Sequence, residues 1–218
     1  MSSQYETLPD AALYPEAFHV PAPAEAVGRE VWPRQPGLFV RRVELQGEAA
    51  RELVAGQFGL VPRWVKSASD AKLRSTKLVN ARADGVSTSA NFREAWLAGQ
   101  RCIVPMMAFL VDDWRSGKAV PTRIARVDGK PMGVAGLWER WAGAEGEEIV
   151  SYTVLTVNAN SHALMHRYQP PGSDKSMPAI LNEGALDAWL SAPVDKAREF
   201  LRAYPAQQLL ANPVEKKR

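Results

Sequence analysis

Asn80-Ala81-Arg82 closes a stretch whose side chains suit an anionic, unpaired polymer. The stretch begins at Phe58-Gly59-Leu60-Val61-Pro62-Arg63-Trp64 and passes Lys66, Lys72, Arg74 and Lys77. From Arg63 to Arg82, six Lys or Arg stand against one acid, Asp70, in a chain whose net charge is only +3. An arginine fork grips phosphate oxygens in pairs, and an exposed tryptophan face stacks on bases. The plainer alternative is a solvated basic loop beside a core tryptophan, because charge runs often only solvate a surface.

Other reactive side chains are few. Cys102 is the single cysteine, which excludes an internal disulfide and a cysteine-type zinc site. It is flanked by apolar residues in Arg101-Cys102-Ile103-Val104-Pro105 and reads as a small hydrophobe of the core. No metal and no cofactor are expected. The three histidines are His19, in a Pro-rich segment, and His162 and His166.

The elements that would carry these residues can be read in outline. Residues 1–36 hold Pro9, Pro15, Pro21, Pro23, Pro33 and Pro36, and predict extended or looping chain with at most short helices. Leu38–Leu45 reads as a strand, the segment from Gly47 to Val54 as a turn of helix, and Gln57–Val61 as a strand stopped by Pro62. Residues 65–79 have no clear period and read as loop. Ser89 is placed to cap a helix over Asn91–Gly99. Arg101–Val111 predicts a buried strand interrupted at Pro105. Thr122–Val127 and Pro131–Trp138 flank Asp128-Gly129, a hairpin signal. Ile149–Val157 alternates as a strand, a short helix starts near Ser161, and residues 168–176 form a loop. Glu183–Leu190 and Val194–Tyr204 read as helices, and the tail from Glu215 as frayed. Trp96, Trp138, Trp141 and Trp189 fall at apolar positions of these elements and read as core. This mixture, without a βαβ rhythm, predicts an α+β fold with a curved, mostly antiparallel sheet.

Length and composition agree with one domain over 1–218, its Pro-rich start and charged tail peripheral. With 46% hydrophobic residues, the 218-residue chain can bury a substantial core. No run of about 18 apolar residues occurs, so no membrane span is expected. Met1-Ser2-Ser3-Gln4-Tyr5 lacks the basic start and apolar core of a signal peptide, so a cytoplasmic protein is expected. A sequence pI of ≈ 9.1 permits an acidic partner without requiring one.

Taken together and in order, several stretches resemble the SOS response-associated peptidase (SRAP) family of abasic-site processing proteins. They are Gln57–Trp64, Asn80-Ala81-Arg82, Phe92-Arg93-Glu94-Ala95-Trp96, Arg101–Pro105, Ala135-Gly136-Leu137-Trp138 and Leu155-Thr156-Val157-Asn158. The resemblance implies a barrel-like sheet with peripheral helices and a positive groove for single-stranded or abasic DNA. It also implies loss of Met1, leaving an N-terminal cysteine whose amine and thiol capture the abasic aldehyde as a thiazolidine. A glutamate and a histidine assist the proton transfers. Asn80 and Arg82 carry over as DNA-binding residues, with Arg63, Trp64 and Lys77 beside them. A monomer is favoured.

The chemical half of the pattern departs. Ser2 stands where the family has cysteine, and a hydroxyl needs an activating base where a thiol does not. Val111 occupies the place of the glutamate, and Asp84 that of an acid that often follows the Asn-Ala-Arg motif. Asp113 would share the face of Val111 in a regular strand and is the nearest substitute acid, whereas Asp112 would point away. Gln169 is the best match for the histidine. His166, three residues earlier, is the better candidate base, because a base is judged by reach. The candidate catalytic set is therefore Ser2, His166 and Asp113. Three functions remain open: DNA binding without a stable crosslink, an active variant in which the Ser2 amine forms an imine with lyase-type chemistry, and a phage-related accessory protein that keeps only the fold.

Overall fold

The computed structural model describes residues 3–214; Ser2 and the tail from Glu215 lie outside them. The chain opens with β1 (Tyr5–Glu6), α1 (Leu13–Phe18) and β2 (Glu30–Val31), followed by a long hairpin of β3 (Pro36–Leu45) and β4 (Glu48–Phe58). Helix α2 (Ala68–Ser75), strand β5 (Asn80–Arg82) and helix α3 (Arg93–Leu97) come next. Then come β6 (Arg101–Met106), β7 (Ala108–Asp113), β8 (Val120–Arg126), β9 (Met132–Ala142) and β10 (Glu148–Asn158). The chain ends with β11 (Ser176–Pro178), α4 (Leu186–Ser191), α5 (Val194–Ala197) and β12 (Leu209–Pro213).

The α+β class and the curved sheet hold. Strands β10, β4, β3, β6 and β9 pair in that order, and β9 pairs back onto β10, so five strands close a barrel. A second sheet, in the order β12-β8-β7-β1-β2, lies beside it. The chain passes from barrel to second sheet at Met107, between β6 and β7. Pro105 therefore does not break its strand; it sits inside β6 opposite Gly133. The apolar interior of the barrel includes Phe39, Phe58, Val104 and Tyr152, all buried. The hydroxyls of Tyr5 and Tyr152 hydrogen-bond there and tie the N-terminal strand to the barrel. No helix among the described residues is long and apolar enough to cross a membrane.

Three local expectations are corrected. Residues 48–54 are strand, not helix, although Glu, Ala, Arg and Leu favour helix. Gln46 and Gly47 both take positive φ (52° and 82°), as a two-residue hairpin turn requires, and the ladder then pairs Leu45 with Glu48 through to Pro36 with Gln57. Pairing along both strands outweighs local propensity. Residues 68–75 are helix rather than loop: the Ser67 side chain accepts from the Asp70 backbone N–H (3.1 Å), and Asp70 pairs with Arg74 one turn on. Asp128-Gly129 is a turn, but β8 and β9 do not pair across it. The two edges of β9 are taken by β6 and β10, and those of β8 by β7 and β12. The Arg126 guanidinium fastens this corner by binding Asp128, Glu183 and the Pro131 carbonyl.

Candidate functional site

The Asn-Ala-Arg stretch is β5, and it lies parallel to β10, with Asn80 opposite Val154, Ala81 opposite Leu155 and Arg82 opposite Thr156. Ala81 is fully buried, so Asn80 and Arg82 emerge on the opposite face from it. Arg82 is exposed and pairs with exposed Asp84 at 3.0 Å. Such a pair contributes about 0–1 kcal/mol, so a phosphate can displace it at little cost. Arg82 opens onto a cavity of about 350 Å³ that Asn158, Lys175, Ser176 and Arg198 also line. Arg198 comes from the C-terminal helical region, and no signal in the sequence tied it to Arg82. The acids Asp84 and Asp174 lie at the same cavity and temper its charge.

A second pocket, of about 280 Å³, lies at the end of β7. The N-terminus reaches it because β1 runs antiparallel to β7: Tyr5 is opposite Phe109, and the Leu110 N–H donates to the Gln4 carbonyl at 3.1 Å. Ser3 and Gln4 therefore line the pocket together with Val111 and Asp112. The far wall is Gln169. Its backbone N–H donates to the Asp112 carbonyl (3.0 Å) and its side-chain amide donates to the Ser176 carbonyl (2.6 Å). Gln169 also has a positive φ of 75°, a conformation that costs a non-glycine residue energy and persists only where its surroundings enforce it. Trp32 and Trp114 complete the walls. The Trp114 indole N–H is buried with no hydrogen-bond partner among the described residues, a loss of about 1–3 kcal/mol for a donor taken from water.

The two cavities share a wall. Segment 169–176 gives Gln169 and Pro170 to the N-terminal pocket and Lys175 and Ser176 to the Arg82 cavity. The Lys175 ammonium clamps this segment by donating to the carbonyls of Gln169 (3.1 Å) and Pro170 (2.6 Å).

Other expected site residues lie elsewhere or are otherwise engaged. Asp112 is among the residues that line the pocket and Asp113 is not, although β7 keeps its alternation, with Val111 buried, Asp112 exposed and Asp113 half-buried. The end of β7 is held by the Gln169 backbone N–H on the Asp112 carbonyl and by a bridge between Asp113 and Tyr168. Hydrogen bonds from Arg115 hold the Asp113 carboxyl below the usual range, so at neutral pH it is an ion and not a proton donor. His166 is exposed on a short 3₁₀ turn, its Nδ1 bonded to the His162 carbonyl at 2.7 Å, and it does not line the pocket that Ser3 enters. His162 is structural. Its Nδ1 accepts from the backbone N–H groups of Leu164 and Met165, and its Nε2 meets the Tyr204 carbonyl. Cys102 is fully buried, and burial pushes its thiol well up. No group of metal ligands occurs among the described residues.

Arg63 is half exposed, but its guanidinium engages a buried acid. It binds Glu139 at 2.6 Å and also Gln100, and Glu139 is only 1% exposed. Trp64 is 40% exposed, its indole N–H donates to the Ala90 carbonyl, and Arg74 lies 4.8 Å over its ring. Lys77 is exposed beyond α2.

Comparison with known proteins gives the same outline. The sequence model described as SOS response associated peptidase (SRAP) matches residues 4–217. The abasic site processing protein YoqW of Bacillus subtilis is 30% identical over 161 residues, 71% of this chain and 66% of that protein. Abasic site processing protein HMCES of Gallus gallus is 26% identical over 187 residues, 75% of this chain and 53% of that one. The chain thus spans about two thirds or less of these relatives. A crystal structure of a Bordetella bronchiseptica protein, 41% identical, superposes with a TM-score of 0.90 over 98% of this chain and 100% of that one. A Bacteroides thetaiotaomicron protein shares the fold at 20% identity, with a TM-score of 0.81 over 98% of this chain and 92% of that one.

Proposed function

Because the chain belongs to the SOS response associated peptidase (SRAP) family, we propose that it binds single-stranded or abasic DNA without forming a stable crosslink to it. One observation carries this reading: the N-terminal strand brings Ser3 and Gln4 to a pocket whose other walls include Val111 and Gln169. This leaves a path for an N-terminal nucleophile, but Val111 and Gln169 cannot do the proton transfers of the glutamate and histidine whose places they take. A valine side chain moves no proton, and a carboxamide neither accepts nor donates one near pH 7. A Ser2 hydroxyl does not close a thiazolidine, for want of a thiolate.

The binding half rests on Arg82, Lys175 and Arg198, which converge on one cavity beside β5. Their contacts are to backbone phosphate, so affinity is independent of sequence and falls with salt. Arg63 has no part in this, since its charge is committed to Glu139.

Two measurements test the proposal. Mobility shift of a single strand across salt tests binding, and its absence at low salt sinks the reading. Denaturing electrophoresis with abasic single strand tests the chemistry. A heat-stable adduct formed without reductant contradicts the assignment of Val111 and Gln169 as inert.

A further inference from the structure

The N-terminal pocket is not simply a reactive site with its groups removed. Its walls are now two indoles, Trp32 and Trp114, and the apolar side chains of Leu110 and Val111, with Gln169 and Asp112 at its polar edge. A ring-opened abasic sugar has no planar face and little apolar surface to offer such walls. A nucleobase has both, and its π-face stacks on an indole whatever its identity.

The polar groups agree. The Gln169 amide nitrogen is held by the Ser176 carbonyl, which fixes the amide oxygen as an acceptor. Its backbone, strained to a φ of 75° and anchored on Asp112, keeps that acceptor in place. Every nucleobase carries at least one N–H donor that can meet this acceptor. The volume of about 280 Å³ sits near the lower end of small-molecule pockets, which run from about 300 Å³ upward. It has room for one ring system and not for a stack.

We infer that this pocket takes an intact, unstacked nucleobase of the bound strand in place of an abasic sugar. The inference rests on the DNA-binding reading above and names what that site holds. Trp32 is the outer face of the stack and, being 46% exposed, is free to meet a base arriving from solvent. Phosphates of the same strand run to Arg82 and Lys175 across the shared wall at 169–176.

The test uses the full chain and two labelled strands of nine positions, read by fluorescence anisotropy. One carries the tetrahydrofuran abasic analogue at every position, and so offers backbone alone. The other is identical except for a single 2-aminopurine at its centre. The strand with one base is expected to bind at least about 10-fold tighter, which corresponds to about 1.4 kcal/mol. Its 2-aminopurine fluorescence is expected to be quenched on binding. Trp32→Ala, at an exposed position that does not threaten folding, should abolish the preference and leave the base-free strand unaffected. Arg82→Ala should weaken both strands by the same factor. Equal binding of the two strands, or tighter binding of the base-free one, overturns the inference while leaving DNA binding intact. If neither strand binds, the underlying reading fails, and the inference with it.

Discussion

Arg63 offers the sharpest separation of structural from DNA-binding charge. The basic stretch suggests that it meets DNA, but its guanidinium binds Glu139, which is 1% exposed, while Arg63 itself is 52% exposed. Stripping the partner from a buried ion pair costs about 3–5 kcal/mol. Here the loss is smaller, because half of the arginine is already in water and Glu139 keeps two donors: the Gln100 side-chain amide and the Arg140 backbone N–H, each at 3.0 Å. Arg63→Ala should therefore cost about 2 kcal/mol. For a chain of this size that lowers the melting temperature by about 4–8 °C. Adding Glu139→Gln removes the stranded charge and should recover most of the loss, a coupling that a double-mutant cycle reads directly. Single-strand affinity, measured well below the melting temperature, should not change. If Arg63→Ala melts with the parent chain yet loses tenfold in affinity, the ion pair is incidental and Arg63 belongs to the interface.

The other expectations follow from the same geometry. Arg82→Ala should weaken single-strand binding for all sequences and flatten the log-log salt slope by about 0.7, as loss of one phosphate contact requires; an unchanged slope removes Arg82 from the interface. Ser2→Cys alone should give little heat-stable adduct with abasic single strand, and adding Val111→Glu and Gln169→His should raise the yield on denaturing gels. A rapid adduct from Ser2→Cys by itself would show that neither position matters. If Met1 is removed, the Ser2 amine should form an imine with the aldehyde that borohydride traps and heating without borohydride destroys; electrophoresis with and without reductant decides. Arg115→Ala removes the partner of Asp113. The folded carboxyl lies below its unfolded value, so the pair's small stabilisation exists above about pH 4 and disappears as pH falls through the folded value. Melting temperatures at pH 7 should differ only slightly, because solvent screens so exposed a pair, and should coincide in strong acid. Gly59→Ala should be severe: Gly59 has φ of +119°, and a Cβ there would lie 2.3 Å from the Ser75 carbonyl oxygen.

What could be read from the sequence depended on the range of the forces involved. Strand β10, with its alternation, and the α+β class were visible because periodicity is local. Helix α2 was missed because it is held by a serine cap and one Asp-Arg pair rather than by an apolar stripe. Strand β4 was missed because a positive-φ turn and a partner strand, not composition, make it extended. At the site, motif order set Val111 and Gln169 at the places of the family's glutamate and histidine, and both line one pocket. That the Asp113 carboxyl is engaged by Arg115, and that residues 168 and 169 dock on the end of β7, could not be read from strand alternation alone. Trp32, Lys175 and Arg198 carried no signal; only the fold brings them to the two cavities.

The attachment of β4 and β5 to β10 has a consequence for how this surface can vary. Strand β4 ends on Ser151 and Tyr152, and β5 resumes on the same edge at Val154. Between them, Gly59 bonds Tyr152, Leu60 bonds Leu78, and Val79 bonds Val154 through their backbones. Residues 61–77 are thus an excursion with its two feet fastened side by side. Lengthening such an excursion costs only about 0.6 kcal/mol per doubling and moves neither foot. Insertions between Lys66 and Ser67, or replacement of α2 by another segment, should leave Asn80 and Arg82 where they are. The excursion, with Trp64, Lys72, Arg74 and Lys77, is an exchangeable attachment through which the reach of the basic surface can be reshaped without rebuilding the barrel.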